Sequence, residues 1–246
     1  MIQLNNLSKQ YGKLKAVNRL NLSVSSGEIF GFIGPNGAGK TTTIQMMAGL
    51  LEPTEGSVII DGIDMAAQPE KAKKKIGLIP DRPFLYEKLT GMEFLRFTAD
   101  LYNIERESFL EKTENFLNMF SILDHAHELI ESYSHGMKQR LIMSAVLLHD
   151  PPLIVVDEPM VGLDPRGAKM VRNLFCGLAE KGTTIFMSTH TLQLAEDVCS
   201  RIGIINKGAL IATGTIADLK HEAHMGEADL EEVFFRLTEV GAERWT

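Results

Sequence analysis

Along the start of the chain, short apolar runs alternate with turn residues. Within residues 2–33 the breaks fall at Tyr11-Gly12 and Ser25-Ser26-Gly27, so the pattern predicts strands there. Ile29-Phe-Gly-Phe-Ile33 is an apolar run of strand length. Residues 42–51 predict a helix through Ile44, Met47, Ala48 and Leu51. Residues 56–62 give a strand between glycines, and residues 76–80 a further one. From Phe84 to about His149 the texture becomes helical, with Phe94, Leu95, Phe97 and Leu101, then Phe109, Leu110, Phe116, Leu117 and Phe120. Strand signals return at 153–156, 184–187 and 202–205. Leu230, Val233, Phe234 and Leu237 mark a final amphipathic helix, packed on its own domain or serving a partner. The pattern predicts an α/β chain: a β-containing core interrupted by a helical insertion.

Composition narrows this only a little. At 246 residues the chain suits one large domain or a domain with a subdomain, and 23% charged with 44% hydrophobic residues is ordinary globular composition. A net charge of −7 argues against a dedicated nucleic-acid surface. The basic run Lys71, Lys73, Lys74 and Lys75 reads as a solvated face. Cys176 and Cys199 fit a reducing compartment without a disulfide framework. The N-terminal residues lack a signal-peptide pattern, and no apolar run approaches the roughly 20 residues that cross a bilayer. A membrane role is therefore expected from the cytoplasmic side, through a partner.

Chemistry enters at residues 34–41. Gly34-Pro-Asn-Gly-Ala-Gly39-Lys40-Thr41 fits G-x-x-x-x-G-K-[ST] between an expected strand and an expected helix. That context makes a phosphate cradle, because successive N–H groups and the helix N-terminus face the anion. Gly34, Gly37 and Gly39 let the backbone approach closely; Lys40 offers a point charge to the β- and γ-phosphates, and the Thr41 hydroxyl is placed to ligate Mg²⁺. A chance glycine-rich turn is the rival account. The sequence favours binding of a nucleoside triphosphate.

Other residues gather around this loop. Leu153-Ile-Val-Val-Asp157-Glu158 is an apolar strand ending in two acids, so Asp157 can hold the metal of a bound nucleotide and Glu158 can polarise an attacking water. Acids at a strand end are also often mere caps. Ser134-His135-Gly136-Met137 opens a helix running to about Leu148, with Ser134 either a simple N-cap or part of a second anion site. His190 follows the strand at 184–187, at the same sheet edge as the loop, against the blander reading of a structural histidine.

These motifs together resemble the ATP-binding subunit of an ATP-binding cassette transporter, nearly end to end. The resemblance implies that residues Gly34, Pro35, Asn36, Gly37, Ala38, Gly39, Lys40, Thr41 and Thr42 hold the nucleotide and that Asp157 and Glu158 are the magnesium and catalytic pair. It implies that Tyr11 stacks on adenine and that His190 contacts the γ-phosphate. Residues 133–140 correspond to the family signature, in which Ser134 and Gly136 touch phosphate, and Gly162-Leu-Asp164-Pro to the loop bridging two protomers. The sequence departs from the family where Tyr133, His135 and Met137 replace Leu, Gly and Gln of Leu-Ser-Gly-Gly-Gln. Asp81 stands where the family carries Gln or Glu near the metal. Lys138-Gln-Arg140 and residues 230–237 resemble the branch that exports drugs, lipids or polysaccharides.

The implied fold is a P-loop NTPase core with a mainly parallel sheet, an N-terminal antiparallel β region and an inserted α-helical subdomain. Residues 1–246 form a single cassette: a core of 1–83 and 151–215, a helical signature subdomain at 84–150 and a helical tail at 216–246. The implied cofactors are ATP and Mg²⁺. The implied partners are a second copy packed head to tail around ATP and a membrane permease docking around Phe84 and Tyr86. Lys40, Mg²⁺ and His190 would then act from one chain and the Ser134 helix from the other. A soluble cassette ATPase acting on ribosomes or nucleic acid is the alternative. It usually carries tandem cassettes or a long coiled-coil insertion.

Overall fold

Two sheets stack with a helix between them in the computed structural model, which describes residues 1–160, 163–226 and 228–243. The first is antiparallel. Strands β1 (Ile2–Tyr11) and β2 (Leu14–Val24) pair across a turn at Gly12, whose φ of +57° suits glycine. Strand β3 (Ile29–Ile33) leads into helix α1 (Lys40–Met47), and β4 (Glu55–Ile60) and the short β5 (Ile63–Asp64) complete the first sheet in the order β2-β1-β4-β5. Helix α2 (Pro69–Lys73) and the two residues after it carry the lysine run, with Lys71, Lys73 and Lys74 exposed and Lys75 paired to Asp61 at 3.1 Å.

After β6 (Ile76–Ile79) come α3 (Gly91–Leu101), α4 (Arg106–Met119) and α5 (His135–Leu147), with single 3₁₀ turns at Leu123–His125 and Ile130–Ser132. Strands β7 (Leu153–Asp157) and β8 (Thr184–Thr189) flank α6 (Pro165–Glu180). The chain ends in α7 (Leu192–Val198), β9 (Arg201–Asn206), β10 (Ala209–Gly214), α8 (Ile216–Glu222) and α9 (Leu230–Glu243). The second sheet runs β10-β9-β3-β8-β7-β6, parallel except for β10.

Alternation along the central strands feeds two apolar cores. Phe30, Phe32, Leu153, Val155 and Phe186 face α1 and the antiparallel sheet, where the Phe30 and Phe186 rings stack at 5.6 Å. Ile33, Ile154, Val156, Ile185 and Ile204 face the helices on the other side, including α5, α6 and α9 through Leu141, Phe175 and Val233. The last helix therefore packs on its own domain by way of Leu230 and Val233. Because β3 lies centrally, its C-terminal end opens where neighbouring parallel strands also end, the usual ligand position of such sheets.

The structure corrects one expectation and sorts the residues behind another. The helix expected at 42–51 starts at Lys40 and stops at Met47, since Gly49 turns left-handed at φ +64° and ends it, which leaves Leu50 outside and exposed. In the helical stretch Phe94, Leu95, Phe109, Leu117 and Phe120 are buried, whereas Phe97, Leu101 and Leu110 point outward.

Candidate active site

The loop after β3 is built by close backbone contacts. Gly39, at φ +108°, directly precedes α1, and a Cβ there would stand 2.4 Å from the Ala16 carbonyl oxygen. At Gly34 a Cβ would stand 2.3 Å from the carbonyl of Ile205. The loop is thus wedged between β2 and β9, and only hydrogen fits at both points.

A cleft of ≈ 390 Å³ opens above this loop. Asn36 to Thr42, Asp81, Asp157 and Glu158 border it, and Tyr11, Leu14 and Ala16 wall the other side. Lys40 is buried; its Nζ donates to the carbonyls of Gly34 at 2.7 Å and Pro35 at 3.3 Å. Burial pushes the pKa of its ammonium below the usual lysine range, and the charges of Glu158 and Asp157 pull it back up.

Asp157 ends β7 buried. Its Oδ2 accepts from the Thr41 hydroxyl at 2.8 Å, and its Oδ1 accepts from the hydroxyl of Ser188, its register partner on β8. A threonine hydroxyl touching a carboxylate beside a phosphate loop is a hard-oxygen pair of the kind that suits Mg²⁺. Glu158 follows at φ +53°, a conformation few non-glycine residues adopt, with its N–H bonded to the Ser188 carbonyl at 3.0 Å. Its Oε1 lies 2.8 Å from His190 Nδ1 and its Oε2 accepts from Thr189 Oγ1 at 3.3 Å. β8 therefore supplies partners to both acids at the end of β7.

Ser134 caps α5, accepting from the Met137 N–H at 3.3 Å. Tyr133 at the start of this motif is buried, and its hydroxyl donates to the His125 carbonyl at 2.6 Å. Asp164 caps α6 by accepting from the Gly167 N–H at 2.7 Å, and Arg140 reaches to 3.7 Å from it. Within one chain Ser134, Gly136 and Asp164 do not border the cleft that holds Lys40 and Asp157. Gly162 lies outside the described residues. Tyr11 is half exposed, with Lys9 Nζ 5.5 Å from its ring centre.

Sequence reading missed Leu14 and Ala16 as cleft walls and Ser188 as the partner of Asp157. Ser188 had one available signal, its place just before Thr189-His190 at a strand end.

Among the described residues no helix is long and apolar enough to cross a membrane. A family profile described as ABC transporter matches residues 17–161. The linearmycin resistance ATP-binding protein LnrL of Bacillus subtilis is 38% identical over 219 residues, covering 89% of this chain and 70% of that protein. The bacitracin transport ATP-binding protein BcrA of Bacillus licheniformis is 39% identical over 212 residues, covering 86% and 68%. The probable multidrug ABC transporter ATP-binding protein YbhF of Escherichia coli is 35% identical over 240 residues, and the chain spans 96% of itself but 41% of YbhF. Among solved structures, one described as an ATP-binding subunit of an ABC transporter superposes with a TM-score of 0.93 at 33% identity, covering 97% of this chain and 99% of that one. A dimeric cassette in a post-hydrolysis state bound to ADP and Pi superposes with a TM-score of 0.80 at 27% identity, covering 88% and 99%.

Proposed function

The chain belongs to the ABC transporter family and is an ATP-binding, ATP-hydrolysing cassette, and from that premise we propose that it powers a separate membrane permease that exports its substrate. The observation that carries the site assignment is the 2.8 Å bond from Thr41 to Asp157 beside the phosphate loop. In this reading Gly34 to Thr42 wrap the phosphates, Lys40 turns from the loop carbonyls to them, and Tyr11 packs on the base. Thr41 and Asp157 hold Mg²⁺, which when bound neutralises charge building on the phosphate oxygens. Glu158 accepts a hydrogen bond from the attacking water and draws its proton as the new O–P bond forms and ADP leaves. His190 keeps the carboxylate of Glu158 aimed and reaches the γ-phosphate.

Two copies of the chain close around ATP, the Ser134–Gly136 helix start and Asp164 of one facing the phosphate loop of the other. The start of α5, where the Ser134 hydroxyl caps the helix outside the cleft of its own chain, supports this arrangement, as does the dimeric form of the solved cassette bound to ADP and Pi. The permease docks on the patch of Phe84, Tyr86 and Phe97. Phe84 is 86% exposed and meets Tyr86 edge-on at 6.5 Å, which meets Phe97 edge-on at 5.7 Å. Asp81 borders the cleft just ahead of that patch, so a change around the metal reaches the docking surface through a short segment. The subunit then sits at the cytoplasmic face of the membrane, held by the permease. Relatives named for linearmycin resistance, bacitracin transport and multidrug transport favour export over action on ribosomes or nucleic acid.

Hydrolysis by the purified chain with Mg²⁺ and ATP tests the site. Lys40→Ala is expected to abolish turnover and weaken nucleotide binding strongly, because the fixed cation on the phosphates is lost. Near-normal turnover by that variant overturns the assignment.

A further inference from the structure

The turn joining β9 to β10 braces the cleft from behind. Lys207 and Gly208 have φ of +48° and +80°, and Ala209 pairs with Asn206, so this is a two-residue hairpin turn of the primed kind. The backbone of Gly208 is used twice. Its N–H donates to the carbonyl of Ala38 in the phosphate loop at 2.9 Å, and its carbonyl accepts from the N–H of Asn18 on β2 at 2.8 Å. A Cβ on Gly208 would stand 2.8 Å from the Ala16 carbonyl oxygen. That same oxygen is the one a Cβ on Gly39 would strike. Three segments therefore meet at Ala16 without a side chain between them.

The two walls of the cleft belong to different sheets. Tyr11, Leu14 and Ala16 come from the antiparallel sheet, whereas Ala38, Lys40 and Thr41 follow the central strand of the other. A nucleotide needs both walls at once, since its base and its phosphates are joined at a fixed reach. With the cleft read as the ATP site, we infer that Gly208 is a positioning residue for nucleotide: its two backbone hydrogen bonds set the spacing between base wall and phosphate loop. Gly208 touches neither the nucleotide nor the reacting atoms. An added methyl pushes Ala16 away from the loop and costs affinity for the whole nucleotide. Asp157 keeps its bonds to Thr41 and Ser188, and Glu158 keeps its contacts with Thr189 and His190, so turnover at saturation is preserved.

Gly208→Ala is compared with Gly62→Ala. Gly62 has nearly the same φ, +78°, but nothing lies within 4 Å of its would-be Cβ, so it carries the left-handed strain without the contact. The readouts are the Kd for a fluorescent ATP analogue and steady-state hydrolysis. Gly208→Ala is expected to raise Kd and KM about tenfold, the order of one displaced backbone hydrogen bond, with kcat within about twofold of the parent. Gly62→Ala is expected to change neither. Equal Kd in the two variants, or a fall in kcat at unchanged KM, overturns the inference. Amide hydrogen exchange on the parent chain gives a second reading should Gly208→Ala fail to fold. The amides of Asn18 and Gly208 are expected to slow on adding ATP, together with those of the phosphate loop; slowing in the loop alone also overturns it. A parent chain that binds no ATP would instead remove the nucleotide reading itself, and this role with it.

Discussion

His190 Nδ1 lies 2.8 Å from Oε1 of Glu158, tying the end of β8 to the acid that follows β7. Thr189 holds the other carboxylate oxygen at 3.3 Å, so the direction of Glu158 is set by the last residue of β8 and the residue just after it. Its left-handed backbone, at φ +53°, turns the chain sharply away from the sheet at this point.

His190→Ala should therefore lower kcat about a hundredfold, the usual size for losing one preorganised partner of the reacting groups. ATP affinity should change much less, because Lys40 and the loop remain. Single-turnover hydrolysis beside equilibrium binding separates the two. A variant that loses binding but turns over normally at saturating ATP would contradict the role assigned to the histidine.

Ser188 holds Asp157 from the side opposite Thr41. Removing its hydroxyl in Ser188→Ala should raise the Mg²⁺ concentration for half-maximal hydrolysis about tenfold, as is common when the group orienting a metal ligand is lost. The maximal rate at high Mg²⁺ should largely recover. A lower maximal rate with an unchanged Mg²⁺ requirement would tell against it.

Cys199 offers a pH test. Burial pushes its thiol up to about 12, with Cys176 adding to the shift. Above the ordinary thiol range near 8.5 the unfolded chain releases a proton that the folded chain keeps, so this group lowers stability as pH rises through that window. Urea unfolding should show a larger loss between about pH 8 and 10.5 for the parent than for Cys199→Ala. Equal losses would mean that Cys199 titrates normally in the folded chain.

The phosphate loop was legible because one motif, one strand before it and one helix after it all agree, and each is a local signal. The placement of Asp157, Glu158 and His190 near strand ends was legible for the same reason: the two acids directly follow one apolar run, and His190 stands three residues past another. What the sequence hid is pairing between distant segments. The contact of Asp157 with Ser188 depends on the register of β7 against β8, 31 residues apart in the chain. Ala16 lines the cleft at a point where the β9–β10 turn and the phosphate loop both approach its carbonyl closely, a meeting of three segments far apart in the chain. The strand signals at 153–156 and 184–187 leave out helix α6 between them, although Asp164 and Pro165 open it with a cap and a first-turn proline and Met170, Val171, Leu174, Phe175 and Leu178 recur at helical spacing, an equally local signal. The early stop of α1 at Gly49 is the converse case: a local signal outweighed by the apolar spacing through Leu51.

Glu158→Gln tests the central claim most directly. The substitution keeps the size and loses the charge that draws the water's proton, so ATP should still bind and close two chains around it, but should not be consumed. Light scattering behind gel filtration, with ATP and Mg²⁺, should find a monomer without nucleotide and a stable dimer with it, alongside loss of turnover. A Glu158→Gln chain that stays monomeric with ATP and hydrolyses it at the parent rate would contradict both the general-base role and the shared site.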